Sequence, residues 1–438
     1  LLNSKIAVVG AGVSGLAAAV SLVERGFENI TLFEARREAG GRTRSWLDPA
    51  TGDVLDNGQH LLIGCYRATL AYLESIGSLK QLERRRLSLD FHESGASTSR
   101  LELQNQGKPA VNLLGAVWKS DLLSFKEKCA ATWLGIAIHG SAVRNARSHS
   151  AIELFKKFRQ PDRLIRRLWE PIVLATINAP IHEASAELFI NVFREAFLSG
   201  PDASDLLIPS CGLSELLVQP AIDFIATRGV HIRRSTPVRS IEHSSGSFLL
   251  KFDGGEENFE SVIYSNTAKE PLPERIRSSI PEFQFSPIVN AYFWLDRRVL
   301  SGPIHAMVGT TLQWVFPKAS QYSAQRLALT VSAAGALSEK SNQEIEDVLW
   351  NDLKMAIPQM KNVRLLTSQI VREKRATPLF TYTVQRLRPS TKSSIPRFYF
   401  SGDFVQNGLP ATIEGAIRNG YAASAALLNE ISHSTSNE

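Results

Sequence analysis

Cysteine is almost missing from this chain: three residues in 438, Cys65, Cys129 and Cys211, each alone in sequence. That excludes a disulfide framework and a thiolate metal site, which need paired spacings. The thiols are expected to be reduced, in a cytosolic compartment, with no metal bound. A large excess of one charge is also missing. Lys plus Arg number 49 against 43 Asp plus Glu, a net +6, and no recognisable nucleic-acid module accompanies the basic residues, so nucleic acid is not an expected partner. Those residues do cluster, at Arg84-Arg85-Arg86 and from Lys156 and Lys157 through Arg159, Arg163, Arg166 and Arg167. Such clusters are either solvated faces or a peripheral contact for an anionic membrane surface. Long unbroken hydrophobic runs are lacking as well. Ile6 to Val23 is uncharged but punctuated by Gly10, Gly12 and Gly15, and Val299 to Pro317 by Gly302, Pro303, Gly309, Thr310 and Thr311, so no membrane-spanning helix is expected. What remains is a folded composition, 44% hydrophobic and 21% charged, with length for two or three domains; disorder and coiled coil are excluded.

The information begins at the N-terminus. Ile6-Ala7-Val8-Val9 is a short apolar run of the kind that forms a strand buried on both faces of a parallel sheet. Gly10-Ala11-Gly12-Val13-Ser14-Gly15 then turns the chain tightly, brings backbone N–H groups close to a pyrophosphate and starts a helix, Leu16 to Arg25, whose N-terminus faces the anion. Gly26 ends the helix, and Ile30–Phe33 forms a second strand that delivers Glu34. An acid about 20 residues beyond the glycines is where a carboxylate accepts ribose hydroxyl hydrogen bonds. Strand, glycines, helix, strand and acid together predict a dinucleotide site.

After Glu34 come Ala35, Arg36, Arg37, Glu38, Ala39, Gly40, Gly41 and Arg42, and a second glycine pair beside an arginine is more than a nicotinamide dinucleotide requires. This stretch resembles the flavin-binding superfamily of amine oxidases and carotenoid desaturases. The resemblance implies noncovalent FAD, with Gly41 and Arg42 running past its diphosphate and ring and with Ala35 and Arg36 beside the ribose acid. Asp56-Asn57-Gly58-Gln59-His60 and the following Leu61–Tyr66 are similar to the segment that passes the flavin ring in plant-type carotene desaturases. Gly58 would allow close backbone approach to the ring, Gln59 would contact it, and His60 is a candidate hydrogen-bond donor or proton carrier; the alternative is a satisfied core histidine.

In the middle, apolar spacing predicts helices over Leu113–His149, Ala151–Phe158 and Ala184–Leu198, with almost no strand signal between 91 and 204. Trp169-Glu170-Pro171 resembles a segment of squalene-associated flavoproteins, or is an ordinary core aromatic beside a helix-breaking proline. Gly212–Arg228 reads as an amphipathic helix, and Pro237–Glu242, Phe248–Phe252 and Phe259–Tyr264 as a β-meander. In the superfamily this insertion returns the chain to the nucleotide half, and Val238 would hydrogen-bond the adenine through its backbone. Strands at Ile288–Leu295, Gln313–Phe316 and Arg326–Val331 and a helix at Asn342–Met355 complete the second half. Lys374 and Arg375 are either solvated or flavin-facing.

Near the C-terminus, Arg397–Phe400 is a strand leading to Ser401-Gly402-Asp403, and Pro410–Ala416 opens a helix that continues to Asn429. By the resemblance, Gly402 and Asp403 would contact FAD, and Thr412 and Ile413 would offer backbone donors to its ring. Glu414 is either a ligand or a first-turn acid favouring the helix dipole. The whole set, Gly10–Gly15, Ser14 included, through Glu373–Thr377 and Thr412–Gly415, resembles the bacterial hydroxysqualene dehydroxylases, also called squalene-associated FAD-dependent desaturases. That implies an α/β fold, with a Rossmann-like FAD-binding domain (1–90, 205–275 and 371–438) and an interleaved α+β substrate-binding domain (91–204 and 276–370). It also implies reductive dehydroxylation of hydroxysqualene to squalene in hopanoid biosynthesis, with His60 as first candidate acid. NAD(P)H is a candidate external reductant. The partners implied are a long-chain isoprenoid and squalene-pathway enzymes, and the location is the bacterial cytoplasm or the inner face of its membrane. A carotenoid desaturase, an amine oxidase and a noncatalytic flavin-binding partner remain open alternatives.

Overall fold

Ile6–Val9 and Ile30–Phe33 are buried at every position, as central strands of a parallel sheet must be when helices cover both faces. In the computed structural model, which describes residues 3–104, 107–140, 142–143 and 149–435, these two pair in parallel. The sheet continues through His231–Arg233 on one side and through Ser261–Tyr264 and Phe398–Phe400 on the other. Five segments far apart in sequence therefore meet in one layer. Its helical cover is Val13–Glu24 packed against the C-terminal Ile413–Thr435. A Cβ on Gly420 would stand 2.4 Å from the Ser14 carbonyl oxygen, so this crossing admits only glycine.

The second layer is a seven-stranded mixed sheet, in the order Leu365–Pro378, Phe285–Leu295, Gln325–Val331, Trp314–Lys318, His305–Val308, Ser88–Glu93, Ser99–Glu102. Helices between residues 109 and 198 pack over one end around Phe155, Trp169, Phe189 and Phe193. Trp169 stacks on Phe155 at 5.8 Å and donates its indole N–H to Gln160 Oε1 at 3.0 Å; it is a core anchor. The architecture is the expected α/β arrangement of a Rossmann-like layer with an interleaved α+β unit.

Several expectations need correction. The helix expected over Leu113–His149 is two, Pro109–Lys119 and Phe125–His139, because Ser124 and Glu127 form a capping box that starts a new helix; residues 141 and 144–148 of that expectation lie outside the described residues. Strands Ser88–Glu93 and Ser99–Glu102 occupy the region read as helical, and the boundaries placed at 90/91 and 370/371 both fall inside strands of the seven-stranded sheet. The third meander strand is Gly255–Phe259, whereas Ser261–Tyr264 crosses into the parallel sheet. Both π-helical turns, Ile165–Trp169 and Ser214–Val218, precede a proline at the second position of the next helix, Pro171 and Pro220. The wider turn accommodates the ring, which otherwise meets the carbonyl four residues back. Among the described residues no helix is long and apolar enough to cross a membrane.

One buried polar contact sets a pH limit. His92 Nε2 and His305 Nδ1 lie 2.9 Å apart on adjacent strands, in the core. Such a bond needs one N–H and one lone pair, and burial, then the His92 neighbour, pushes His305 down to about 4. A histidine held neutral contributes stability that is complete above the ordinary value of 6.5 and is lost as pH falls from there towards about 4. Thermal unfolding between pH 7.5 and 4.5 should show a loss approaching about 3 kcal/mol that begins near pH 6.5, before carboxylates start to protonate. A flat profile would mean the pair is not neutral.

Candidate cofactor and active site

The Gly-rich turn follows from close approach. Gly10 has φ +104°, and a Cβ on Gly15 would lie 1.9 Å from the Gly10 carbonyl oxygen. Gly12 is different: its backbone is extended and its Cβ direction meets nothing within 4 Å. Gly41 faces the Gly12 Cα, and the Gly40 N–H donates to the Ala11 carbonyl at 2.8 Å. The helix Val13–Glu24 has neither a side-chain cap nor an acid in its first turn. Helices at Phe125, Ala151, Ala186 and Asn342 all begin behind a serine and carry a first-turn glutamate. An uncapped N-terminus beside two facing glycines is the arrangement that takes a phosphate anion.

Glu34 closes this cleft. Its Oε2 accepts from the Ala11 N–H at 3.0 Å and its Oε1 from the Arg36 N–H at 2.9 Å, while Ala35 and the Arg36 side chain are exposed. The Thr236 N–H donates to the Glu34 carbonyl, which brings half-buried Val238, two residues on, beside the acid. The Ser14 hydroxyl is hydrogen-bonded to Ser401 Oγ at 2.6 Å and ties the turn to the last strand. Buried Ser265 Oγ, next to Gly10 and Gly15, has no partner.

Beyond Gly41 the cleft is charged. Arg42 pairs with Asp403 at 2.7 Å and donates to the Ala376 carbonyl at 2.7 Å, and 42% of its side chain remains accessible. Burial works against its charge, but Asp403, with Glu373 behind it, outweighs burial and raises its pKa. The Asp403 loop is fixed by Arg388, which donates to the carbonyls of Asp403, Phe404, Val405 and Leu409, and by Asn419, which donates to Gly402 and Val405. Thr412 Oγ1 accepts from the Gly415 N–H, and Ile413 is buried at the helix start. Glu414 is the first-turn acid of the last helix. Its carboxylate also accepts from the Ala68 and Thr69 N–H groups and the Thr69 hydroxyl, capping the helix Arg67–Ser75, and pairs with Arg418.

The Asp56–His60 turn rests on the seven-stranded sheet. Asn57 donates to Glu373 Oε2 at 3.0 Å, and Tyr292 donates its hydroxyl to the Asp56 carbonyl at 2.8 Å. A Cβ on Gly58 would lie 3.0 Å from Asn290 Nδ2, so the turn is already crowded by the sheet beneath it. Gln59 donates to the His60 carbonyl. His60 Nδ1 lies 2.6 Å from the Gly58 carbonyl, which can only accept, so Nδ1 carries the proton and Nε2 is left without one. Burial, partly offset by that hydrogen bond and by Asp56, lowers the His60 pKa. Beside this turn opens a cleft of about 750 Å³ lined by Gln59, Leu61, Tyr292, Phe316 and Lys318 among others.

Residues 13–428 match the family described as flavin containing amine oxidoreductase. The chain belongs to this family. It is an FAD-dependent oxidoreductase, and the cleft fits FAD on its own evidence: open glycines at an uncapped helix N-terminus, an acid at the ribose position and an accessible arginine paired with Asp403. This flavoenzyme is 29% identical to the hydroxysqualene dehydroxylase of Sinorhizobium fredii, over 98% of this chain and 99% of the relative. It is 30% identical to that of Rhodopseudomonas palustris, over 96% and 98%. Cyclohexylamine oxidase from Brevibacterium oxydans shares its fold, with a TM-score of 0.72 at 14% identity over 98% of this chain and 100% of that one.

Three residues of the flavoenzyme's site escaped the sequence reading. Asn178 ends a helix at φ +55°, donates to Thr377 Oγ1 and the Ser286 carbonyl, and accepts from the Ala333 N–H; an asparagine at a helix end was the available signal. Asn290 and Arg388 sit in strand and loop with no local pattern to mark them.

Proposed function

We propose that this flavoenzyme reduces hydroxysqualene to squalene. The reading is carried by near-full-length similarity to enzymes named hydroxysqualene dehydroxylase, and the site chemistry supports it. Bound FAD, reduced by an external donor for which NAD(P)H is our candidate, supplies the hydride. The chain's own residues do the rest. Gly10, Gly12, Gly15, Gly41 and Arg42 hold the diphosphate, Glu34 the ribose, Val238 the adenine, and Gly402, Asp403, Thr412 and Ile413 the ring side. His60, fixed through Nδ1 by the Gly58 carbonyl, takes a proton at Nε2 and delivers it to the departing oxygen, which leaves as water. Leu61, Tyr292 and Phe316, in the cleft beside the turn, are the apolar groups that would keep water from the cationic carbon.

Anaerobic enzyme carrying deuterium at the reducing position of its FAD should convert hydroxysqualene to squalene with one deuterium in the product, and oxidised enzyme should do nothing. Oxidative turnover of a carotenoid without dehydroxylation would overturn the proposal.

A further inference from the structure

The helical layer carries an apolar face that nothing among the described residues covers. Five of the twelve large hydrophobics exposed among the described residues lie on two adjoining helices: Val111 and Trp118 on Pro109–Lys119, and Phe125, Trp133 and Ile136 on Phe125–His139. On the second helix Phe125, exposed Cys129, Trp133 and Ile136 recur at three- and four-residue steps, forming one stripe. Leu134, Ala137 and Ile138 on the other side are buried. Phe125 is 73% and Trp133 58% exposed, and the Trp118 and Phe125 rings meet edge to face at 5.7 Å.

The surrounding charge selects the occupant. Lys108, Lys119 and Lys126 are exposed and Lys128 half-buried, against one exposed acid, Asp121; the other, Glu127, is buried and paired with Arg163. The arginine clusters conspicuous in the sequence are not equivalent. Arg84 and Arg86 pair with Asp205, Arg85 with Glu83, and Arg167 with Glu93, so much of their charge is answered within the chain. A stripe with two tryptophans and a rim of lysines has the composition of a surface that settles into the headgroup boundary of an anionic bilayer.

We propose that the face formed by Val111, Trp118, Phe125, Trp133 and Ile136 docks the enzyme on an anionic lipid bilayer. This rests on the isoprenoid reading above for the identity of the substrate, not for the docking. The test is flotation of holoenzyme with vesicles of phosphatidylcholine containing about one third phosphatidylglycerol. Wild type should float. Phe125→Glu/Trp133→Glu/Ile136→Glu should bind at least ~10-fold more weakly while keeping its FAD spectrum, unfolding temperature and turnover of detergent-dispersed hydroxysqualene. Lys108→Glu/Lys126→Glu should weaken binding only to the anionic vesicles, and charge reversal at Arg84–Arg86 should leave it intact. A wild type that stays in solution, a triple variant that still floats, or a triple variant changed from dimer to monomer without any vesicle binding in the wild type overturns the docking surface. Flotation of wild type and its loss in the variant, with no turnover of hydroxysqualene in detergent, would uphold the surface and overturn the substrate.

Discussion

Replacing Gly12 by valine should give a folded protein that purifies without colour. Gly12 has φ −69° and ψ 171°, a conformation open to any residue, and its Cβ would meet nothing within 4 Å. The added side chain therefore costs the polypeptide little, and fills the space before the uncapped helix N-terminus that the FAD diphosphate needs. Losing two charge-assisted hydrogen bonds, each about 1.5–3 kcal/mol, lowers FAD affinity by roughly 10²–10⁴. Flavin absorbance after purification and calorimetric titration of apoprotein measure this, and the unfolding temperature of the variant should equal that of wild-type apoprotein. Normal affinity would place the diphosphate elsewhere. Glu34→Ala should act more mildly, since its carboxylate also braces the Ala11 and Arg36 N–H groups, and Gly15→Ala should fail to fold, because a Cβ there lies 1.9 Å from a backbone oxygen.

His60→Ala should retain FAD yet lower turnover by about 10²–10⁴, the range for a positioned general acid. The pH dependence is the sharper readout. Burial pushes His60 below its ordinary 6.5, so at neutral pH only a minor fraction carries the proton it must deliver. Single-turnover reduction of hydroxysqualene should accelerate as pH falls from 8, by about tenfold per unit, and level off below 6.5. His60→Ala should abolish that limb. A flat wild-type profile would leave His60 holding the Gly58 turn and nothing more.

What was legible in the sequence is what local rules dictate. The Ile6–Val9 strand, the glycine turn, Glu34 and the strand before Gly402 each announce themselves through burial on both faces or through glycine where a Cβ cannot stand. Strand Leu365–Pro378 did not, because only three of its fourteen positions are buried and four in a row are Arg372, Glu373, Lys374 and Arg375, so no apolar run marks it. His305–Val308 lies within an uncharged stretch whose glycines and proline read as punctuation. The sheet partners of Ser88–Glu93 and Ser261–Tyr264 depend on segments more than 200 residues away. The same holds for the site. The crowding of Gly58 by Asn290, 232 positions on, has no local mark in the sequence. The basic clusters drew attention as charge, and only the fold revealed the acids that answer them.

The crossing of the first helix by the last has a consequence for biosynthesis. The turn that receives the diphosphate is made long before the segments that complete it. Its hydroxyl anchor Ser401 stands 387 positions after Ser14, and the outer strand Phe398–Phe400 and the Gly420 contact on Ser14 belong to the same late stretch. A growing chain must therefore carry an incomplete nucleotide half, with the apolar edge of Ser261–Tyr264 awaiting its neighbour, until Phe398–Phe400 has been made. A site that opens with the glycine turn is thus closed only by a segment nearly four hundred residues further on, and the order of synthesis delays cofactor capture until that segment docks.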